Sequence, residues 1–309
     1  MILVGRIQNN SKPPFNIKVH PMEKHNVKSL VIGLAAGIAG GGITAIGAAF
    51  GLSAIDSIWP VFATGAVVGA LVHNAKQSIT DMMDNRLGTL KNRVEKVRRD
   101  VGDIHGLVRL GPYTQDLPLP MGGGWALTGD SAALLAREVL ARKPETILEL
   151  GSGVSTLILG QILKRNGRGR LLSVDHDPEW ANQTRRFVEY LGLGDVVTVV
   201  DAPLKEIAAG NHAAAKWYEI PKSSLDNLGA IDLLLVDGPP QARDNPVAAR
   251  YPAFPMLRDR LSPHALIFVD DASRKTESNM VERWQTEDSG WHSRWFDTID
   301  GVCILTRKP

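Results

Sequence analysis

Hydrophobic residues fall along this chain in three different rhythms. Residues 30–55 and 58–72 are almost wholly apolar or small, with no charged residue between Lys28 and Asp56 and none between Asp56 and Lys76. Further on, Met83, Leu87, Leu90, Val94, Val97, Val101, Ile104 and Val108 recur at alternating steps of four and three, with charged residues filling much of the surface between them. From residue 146 the pattern changes again. Runs rich in Leu, Ile and Val at 146–150, 170–174, 196–200, 231–236 and 265–269 alternate with helical stretches such as 154–165 and 178–191. Runs without polar alternation mark strands buried on both faces of a parallel sheet. Two further runs, 293–298 and 301–306, are joined by Ile299-Asp300-Gly301, a hairpin signal. The expected fold of residues 111–309 is α/β: a doubly wound, mostly parallel seven-stranded sheet.

Each of the first five strands ends at an acid. The endings read Glu149-Leu150-Gly151-Ser152-Gly153, Asp175-His176-Asp177, Asp201-Ala202, Asp237-Gly238-Pro239-Pro240 and Asp270-Asp271. In an open parallel sheet those acids line one edge, outside the carboxyl ends of the strands, where such sheets bind ligands. The glycine turn after the first strand presents backbone N–H groups to a nucleotide-like ligand. A dinucleotide fingerprint would need a third glycine where Thr156 stands. A carboxylate at the mouth of the turn does nothing for a phosphate and suits a cation with an amino group. S-adenosylmethionine, a sulfonium with an ammonium and an adenosine, fits that requirement. Asp175 is placed to accept from ribose hydroxyls, and Asp201 from an adenine amino group. Taken singly, each acid reads equally well as a turn residue or helix cap; the expectation rests on their conjunction.

Longer motifs accompany these endings. They are Gly124-Trp125-Ala126-Leu127, the run from Glu149 to Thr156 (Glu-Leu-Gly-Ser-Gly-Val-Ser-Thr), His176 to Trp180 (His-Asp-Pro-Glu-Trp), Val236 to Pro240 (Val-Asp-Gly-Pro-Pro), Arg250 to Ala253 (Arg-Tyr-Pro-Ala) and Asp270 to Arg274 (Asp-Asp-Ala-Ser-Arg). With them the chain resembles the class I S-adenosylmethionine-dependent methyltransferases, and more narrowly a bacterial subgroup carrying these segments. The resemblance covers residues 111–309 and implies their Rossmann-like fold. It implies cofactor contacts from Trp125, Glu149, Gly151, Ser152, Gly153, Ser155, Thr156, Asp175, His176, Asp201, Ala202 and Asp237. The analogy with catechol-type and macrolide-sugar O-methyltransferases implies a magnesium ion at Asp237, Asp270 and Asp271, three hard oxygen ligands. On it Asp237 is both ligand and proton acceptor. The alternative is that Asp237 only caps its strand and that Asp270 or Asp271 caps a helix at Ala272.

Other chemistries fit less well. Cys303 is the single cysteine and falls in the last strand, where it reads as a small core residue. The Pro-Pro-Tyr motif of enzymes that methylate base amines is absent. His264 is expected in a turn before the fifth strand, and His212 and His292 in irregular segments. Arg243, Arg250, Tyr251 and Arg274 suit either an anionic acceptor or ion pairs within the chain. Trp217 and Tyr218 either line an acceptor pocket or cover the sheet.

The N-terminal third calls for a different solvent. Residues 30–55 exceed the length needed to cross a bilayer, and 58–72 are short for it. Gly33, Gly37 and Gly41, then Gly47 and Gly51, then Gly65 and Gly69 repeat at four-residue spacing, which lets helices pack closely in lipid. The expected organisation is a basic tail (1–28), a two-helix transmembrane hairpin (29–74) turning at 51–57, an amphipathic or coiled-coil stalk (75–110) and the catalytic domain (111–309). A secretory signal and a soluble pair of small-residue helices are the rival readings. Residues 1–28 hold five Lys/Arg against one acid, and residues 76–110 hold eight against five. Positive flanks stay cytoplasmic, which places both termini inside an inner membrane spanned more than once.

Residues 111–309 hold 22 basic and 26 acidic residues, so the formal charge of +2 hides a basic collar suited to anionic membrane lipids. No aromatic–basic interleaving accompanies it, and nucleic acid is not an expected partner. The 3.5-residue repeat predicts a homo-oligomer through a coiled coil, helped by the glycine zippers; a lone amphipathic helix is the alternative. Two function classes follow. One is a membrane-tethered O-methyltransferase with a lipid-linked or glycan acceptor. The other is an oligomeric membrane assembly protein whose cofactor domain is regulatory or inactive. An aminopropyl transferase is a third, narrower option.

Overall fold

The structure, a computed structural model, describes residues 53–115, 117, 126–207, 215–241 and 249–308. It divides into two compact units, Met1–Arg93 and Val94–Pro309. What is described of the first unit is one helix, α1 (Ser53–Thr114), whose last turns belong to the second. No proline stands between Pro60 and Pro112, so nothing breaks the helix where the expected hairpin would give way to the stalk. The turn expected over 51–57 is helical from Ser53, and α1 overruns the expected 110/111 boundary. Most of the longer apolar run, Trp125, His212 and Arg243 lie outside the described residues. Among the described residues no helix is long and apolar enough to cross a membrane.

The second unit continues in chain order with α2 (Gly129–Arg142), β1 (Thr146–Leu150), α3 (Val154–Asn166), β2 (Arg170–Asp175), α4 (Pro178–Tyr190) and β3 (Val197–Asp201). A hairpin of β4 (Leu204–Ile207) and β5 (Ala215–Tyr218) precedes α5 (Lys222–Leu228). Then come β6 (Ile231–Val236), α6 (Ala253–Leu257), β7 (Leu261–Val269), α7 (Lys275–Glu287), β8 (Trp291–Phe296) and β9 (Val302–Arg307). Seven strands form one sheet in the order β3-β2-β1-β6-β7-β9-β8. All neighbours are parallel except β9, which runs against both β7 and β8.

Burial explains the apolar runs. Successive side chains of a strand point to opposite faces, and both faces of this sheet are covered. Leu148, Leu150, Leu234, Val236 and Val269 join Phe254, Trp284 and Trp291 on one side. Ile147, Leu171, Leu233, Leu235 and Phe268 join Leu135, Leu157 and Ile162 on the other. Two expectations are corrected here. The fifth long strand starts at Leu261 rather than 265, so His264 lies in β7; β8 starts at Trp291, so His292 lies in a strand as well. Both histidines are exposed and far from being core groups. The polar residues at these strand starts concealed the strands, because edge-facing ends need not be apolar.

From Val94 on, α1 has two unlike sides. One docks on α2. Asp103 accepts a hydrogen bond from Gly129 N at 2.5 Å, Leu110 is buried, and a Cβ on Gly106 would fall 2.3 Å from Gly129 O. The other carries Val94, Val97, Val101, Ile104 and Val108, which are 44% to 72% exposed.

Candidate active site

Strand order reverses between β1 and β6, because β2 and β3 are laid down on one side of β1 and β6 on the other. A crevice opens at the carboxyl ends of such a pair. Two turns meet in it. Gly151 holds φ at 99°, a region that favours glycine, and its N–H donates to Val174 O at 2.9 Å. A Cβ there would lie 3.5 Å from Gly238 N. The Glu149–Gly153 turn and the Asp237–Gly238 turn are therefore in contact.

Asp175, at the end of β2, faces this crevice and is tightly held. Its Oδ2 accepts from Ser152 N at 2.8 Å and Ser152 Oγ at 2.7 Å, and its Oδ1 from Asp177 N at 3.0 Å. Burial alone would raise its pKa. The hydrogen bonds from His176, Ser152 and the Asp177 backbone outweigh that and hold the carboxyl below its ordinary value. His176 is half-buried beside it, Nδ1 to Oδ1 3.4 Å. Ala202 is fully buried and anchors β3 to β2, its N–H donating to Asp175 O at 2.7 Å.

Glu149 is fully buried beneath the turn. Thr156 Oγ1 donates to its Oε2 at 2.5 Å and accepts from Gly153 N at 2.9 Å, so the acid braces the first turn of α3. Ser155 is buried in the same turn. Glu149 Oε1 has no hydrogen-bond partner among the described residues. Burial pushes this carboxyl up to about 7. Asp201 is placed differently from the rest: it is exposed and pairs with Arg185 at 3.0 Å. The sequence could not reveal that pairing, since Arg185 comes from α4.

On the far side of the crevice Asp237, Asp270 and Asp271 converge, as the adjacency of β6 and β7 requires. Oxygens of the three lie within 4.8 Å of one another. Burial, then the charge on Asp270, pushes Asp237 well above the usual carboxylate range. Burial and Asp271 push Asp270 up to about 7. Asp270 Oδ1 is buried with no hydrogen-bond partner among the described residues. Asp271 adopts a left-handed backbone, φ 59°. Arg250, itself 5% exposed, reaches into this group, and Arg274 flanks it.

Two residues against the glycine turns were not in the expected cofactor set. Trp180 lays its indole against the glycine turn, Nε1 donating to Ser152 O at 2.8 Å. The His-Asp-Pro-Glu-Trp motif carried that signal. Tyr218, at the end of β5, is buried with its hydroxyl unpartnered among the described residues. A Cβ on Gly238 would fall 2.2 Å from that hydroxyl. Burial and the charge on Asp175 push its pKa well up, so it is a neutral donor aimed at the meeting point of the two turns.

Residues 148–272 match a protein-family profile described as a methyltransferase domain. Catechol O-methyltransferase of Bos taurus is 36% identical over 80 residues, 25% of this chain and 29% of that protein. Protein-L-isoaspartate O-methyltransferase 1 of Archaeoglobus fulgidus is 30% identical over 125 residues, 37% of this chain and 55% of that protein. The chain thus spans between about a third and a half of the curated relatives it matches. Among solved structures, an O-methyltransferase from Bacillus cereus in complex with SAH superposes with a TM-score of 0.45 at 15% identity, covering 63% of this chain and 96% of that one. A putative O-methyltransferase from Klebsiella pneumoniae gives 0.44 at 19% identity, covering 66% and 90%. Over residues 148–272 this chain is thus similar to a methyltransferase domain, and over part of its length to O-methyltransferases.

Proposed function

We propose that this chain is an O-methyltransferase held at the cytoplasmic face of a membrane. The observation that carries the reading is the crevice between β1 and β6, where the glycine turn, the Ser152-bound Asp175 and Asp237 line one sheet edge. Asp175 would hold the ribose of S-adenosylmethionine, which when bound would supply an activated methyl group, and Asp237 would serve the acceptor. Transfer to an acceptor hydroxyl would form an O–C bond at the expense of the C–S bond and leave a neutral thioether. Asp237 takes the hydroxyl proton, and burial makes it a stronger base for that step. The walls of the crevice supply alignment, which dominates a displacement of this kind.

The membrane reading rests on the uncharged run of residues 30–55 and its basic flanks. A tether is useful when the acceptor is itself confined to the bilayer surface, which points to a lipid-linked or glycan hydroxyl. The exposed apolar seam of α1 supports association of several copies. The test is transfer of a labelled methyl group from S-adenosylmethionine into lipid and glycan extracts of the host membrane. Incorporation that Asp237→Asn abolishes supports the reading. Cofactor binding without any labelled lipid or glycan favours the assembly-protein alternative.

A further inference from the structure

Among the described residues, Asp237, Asp270 and Asp271 are the acids grouped as metal ligands would be. Their oxygen chemistry suits magnesium, and Asp270 Oδ1 is a buried acceptor without a partner. The other contacts point elsewhere. Arg250 Nη2 donates to Asp271 Oδ2 at 2.9 Å and lies 3.5 Å from Asp237 Oδ1, while its Nη1 donates to the carbonyl of Asp270 at 3.1 Å. Arg274 reaches the same Asp271 oxygen at 2.7 Å. Two guanidinium groups thus already face three carboxylates, and one of the two is 5% exposed.

Arg250 is not there by chance of a long side chain. The next residue fixes its backbone: Trp284 Nε1 donates to Tyr251 O at 2.9 Å, and Tyr251 Oη donates to Glu287 at 2.5 Å. Pro252 then caps α6. The Arg-Tyr-Pro-Ala motif is in effect a bracket that delivers one guanidinium into the acids. Magnesium demands near-octahedral ligands at about 2.0–2.1 Å. At Asp271, Oδ2 is already engaged by two arginines. An ion bound between Asp237 and Asp271 would sit against a buried guanidinium of like charge.

We propose that Arg250 is the resident cation of this site: it occupies the place a divalent metal would take and holds Asp237 in position for the acceptor, so the chain works without a metal. The proposal rests on the reading that Asp237 faces the acceptor. Arg250 is on this account a positioning residue acting through Asp237.

The test is a manganese titration of the full chain followed by paramagnetic resonance of the free ion. The wild type is expected to take up no stoichiometric manganese, and its affinity for S-adenosylmethionine in chelator is expected to match that in magnesium within about twofold. Arg250→Met is expected to open the site to one manganese ion, and adding Asp270→Asn is expected to close it again. Stoichiometric manganese on the wild type that Asp270→Asn removes overturns the proposal, whether or not Arg250→Met folds. So does a folded Arg250→Met that takes up none. Failure of the cofactor to bind at all, with the wild type still free of manganese, would count against the methyltransferase reading and leave the arginine assignment standing.

Discussion

Gly238→Ala is the perturbation with the clearest geometry. Its added Cβ would fall 2.2 Å from the Tyr218 hydroxyl, then 3.2 Å from Leu150 O and 3.4 Å from Gly151 Cα. Gly238 is not among the residues with positive φ, so the substitution carries no backbone strain of that kind. Tyr218 is 5% exposed and packed edge-on to Trp217 with centroids 5.2 Å apart, so it cannot swing away freely. Relief needs a shift of about 1 Å, and overpacking of that order costs about 1–3 kcal/mol. For a unit of this size that lowers Tm by roughly 2 to 12 °C.

The severest clash belongs to one atom, and Tyr218→Phe removes it, leaving the 3.2 Å approach to Leu150 O. The double variant Gly238→Ala/Tyr218→Phe is therefore expected to recover most of the loss, a coupling of about 1–3 kcal/mol. Tyr218→Phe alone is expected to be neutral or slightly stabilising, since it deletes a buried hydroxyl with no protein partner among the described residues. Thermal denaturation of the four proteins measures this cycle. Equal losses in Gly238→Ala and the double variant would refute the placement of Tyr218 against the second turn.

Glu149, pushed up to about 7 in the fold, titrates nearer 4.3 when unfolded. Its contribution is full below the lower value and is lost as pH rises through the higher one. Stability of the cofactor-free protein should therefore fall between about pH 4.5 and 7, and Glu149→Gln should flatten that slope in denaturant titrations. Asp237→Asn should cut the methyl-transfer rate by roughly 10²–10⁴-fold, as steady-state kinetics would show. Replacing Val97 and Val101 with lysine puts two charges into an apolar seam; sedimentation should show a smaller species than the wild type, and an unchanged mass would remove the coiled coil.

Which features were legible depended on whether the signal was local. The central strands were plain because each is buried on both faces and writes a run rich in Leu, Ile and Val; their order in the sheet was not, because it is set by contacts between segments distant in sequence. The pairing of β4 with β5 was hidden: Leu204-Lys205-Glu206-Ile207 is short and half polar, and its partner Ala215–Tyr218 is as short. Asp175 and the glycine turn were readable from spacing alone. The pairing of Asp201 with Arg185 and of Asp271 with Arg250 was not, because both are contacts between segments that no periodicity links. The continuity of α1 was missed for the opposite reason. The lone charge Asp56 suggested a local turn over 51–57, whereas the chain is helical from Ser53.

Calorimetric titration of the full chain with S-adenosylmethionine tests the central claim most directly. One site per chain is predicted, and Asp175→Ala, which strips Ser152 of its acceptor, should weaken it by at least about tenfold, or ~1.4 kcal/mol. A wild type that binds no S-adenosylmethionine, or a folded Asp175→Ala that binds it equally well, would contradict the account.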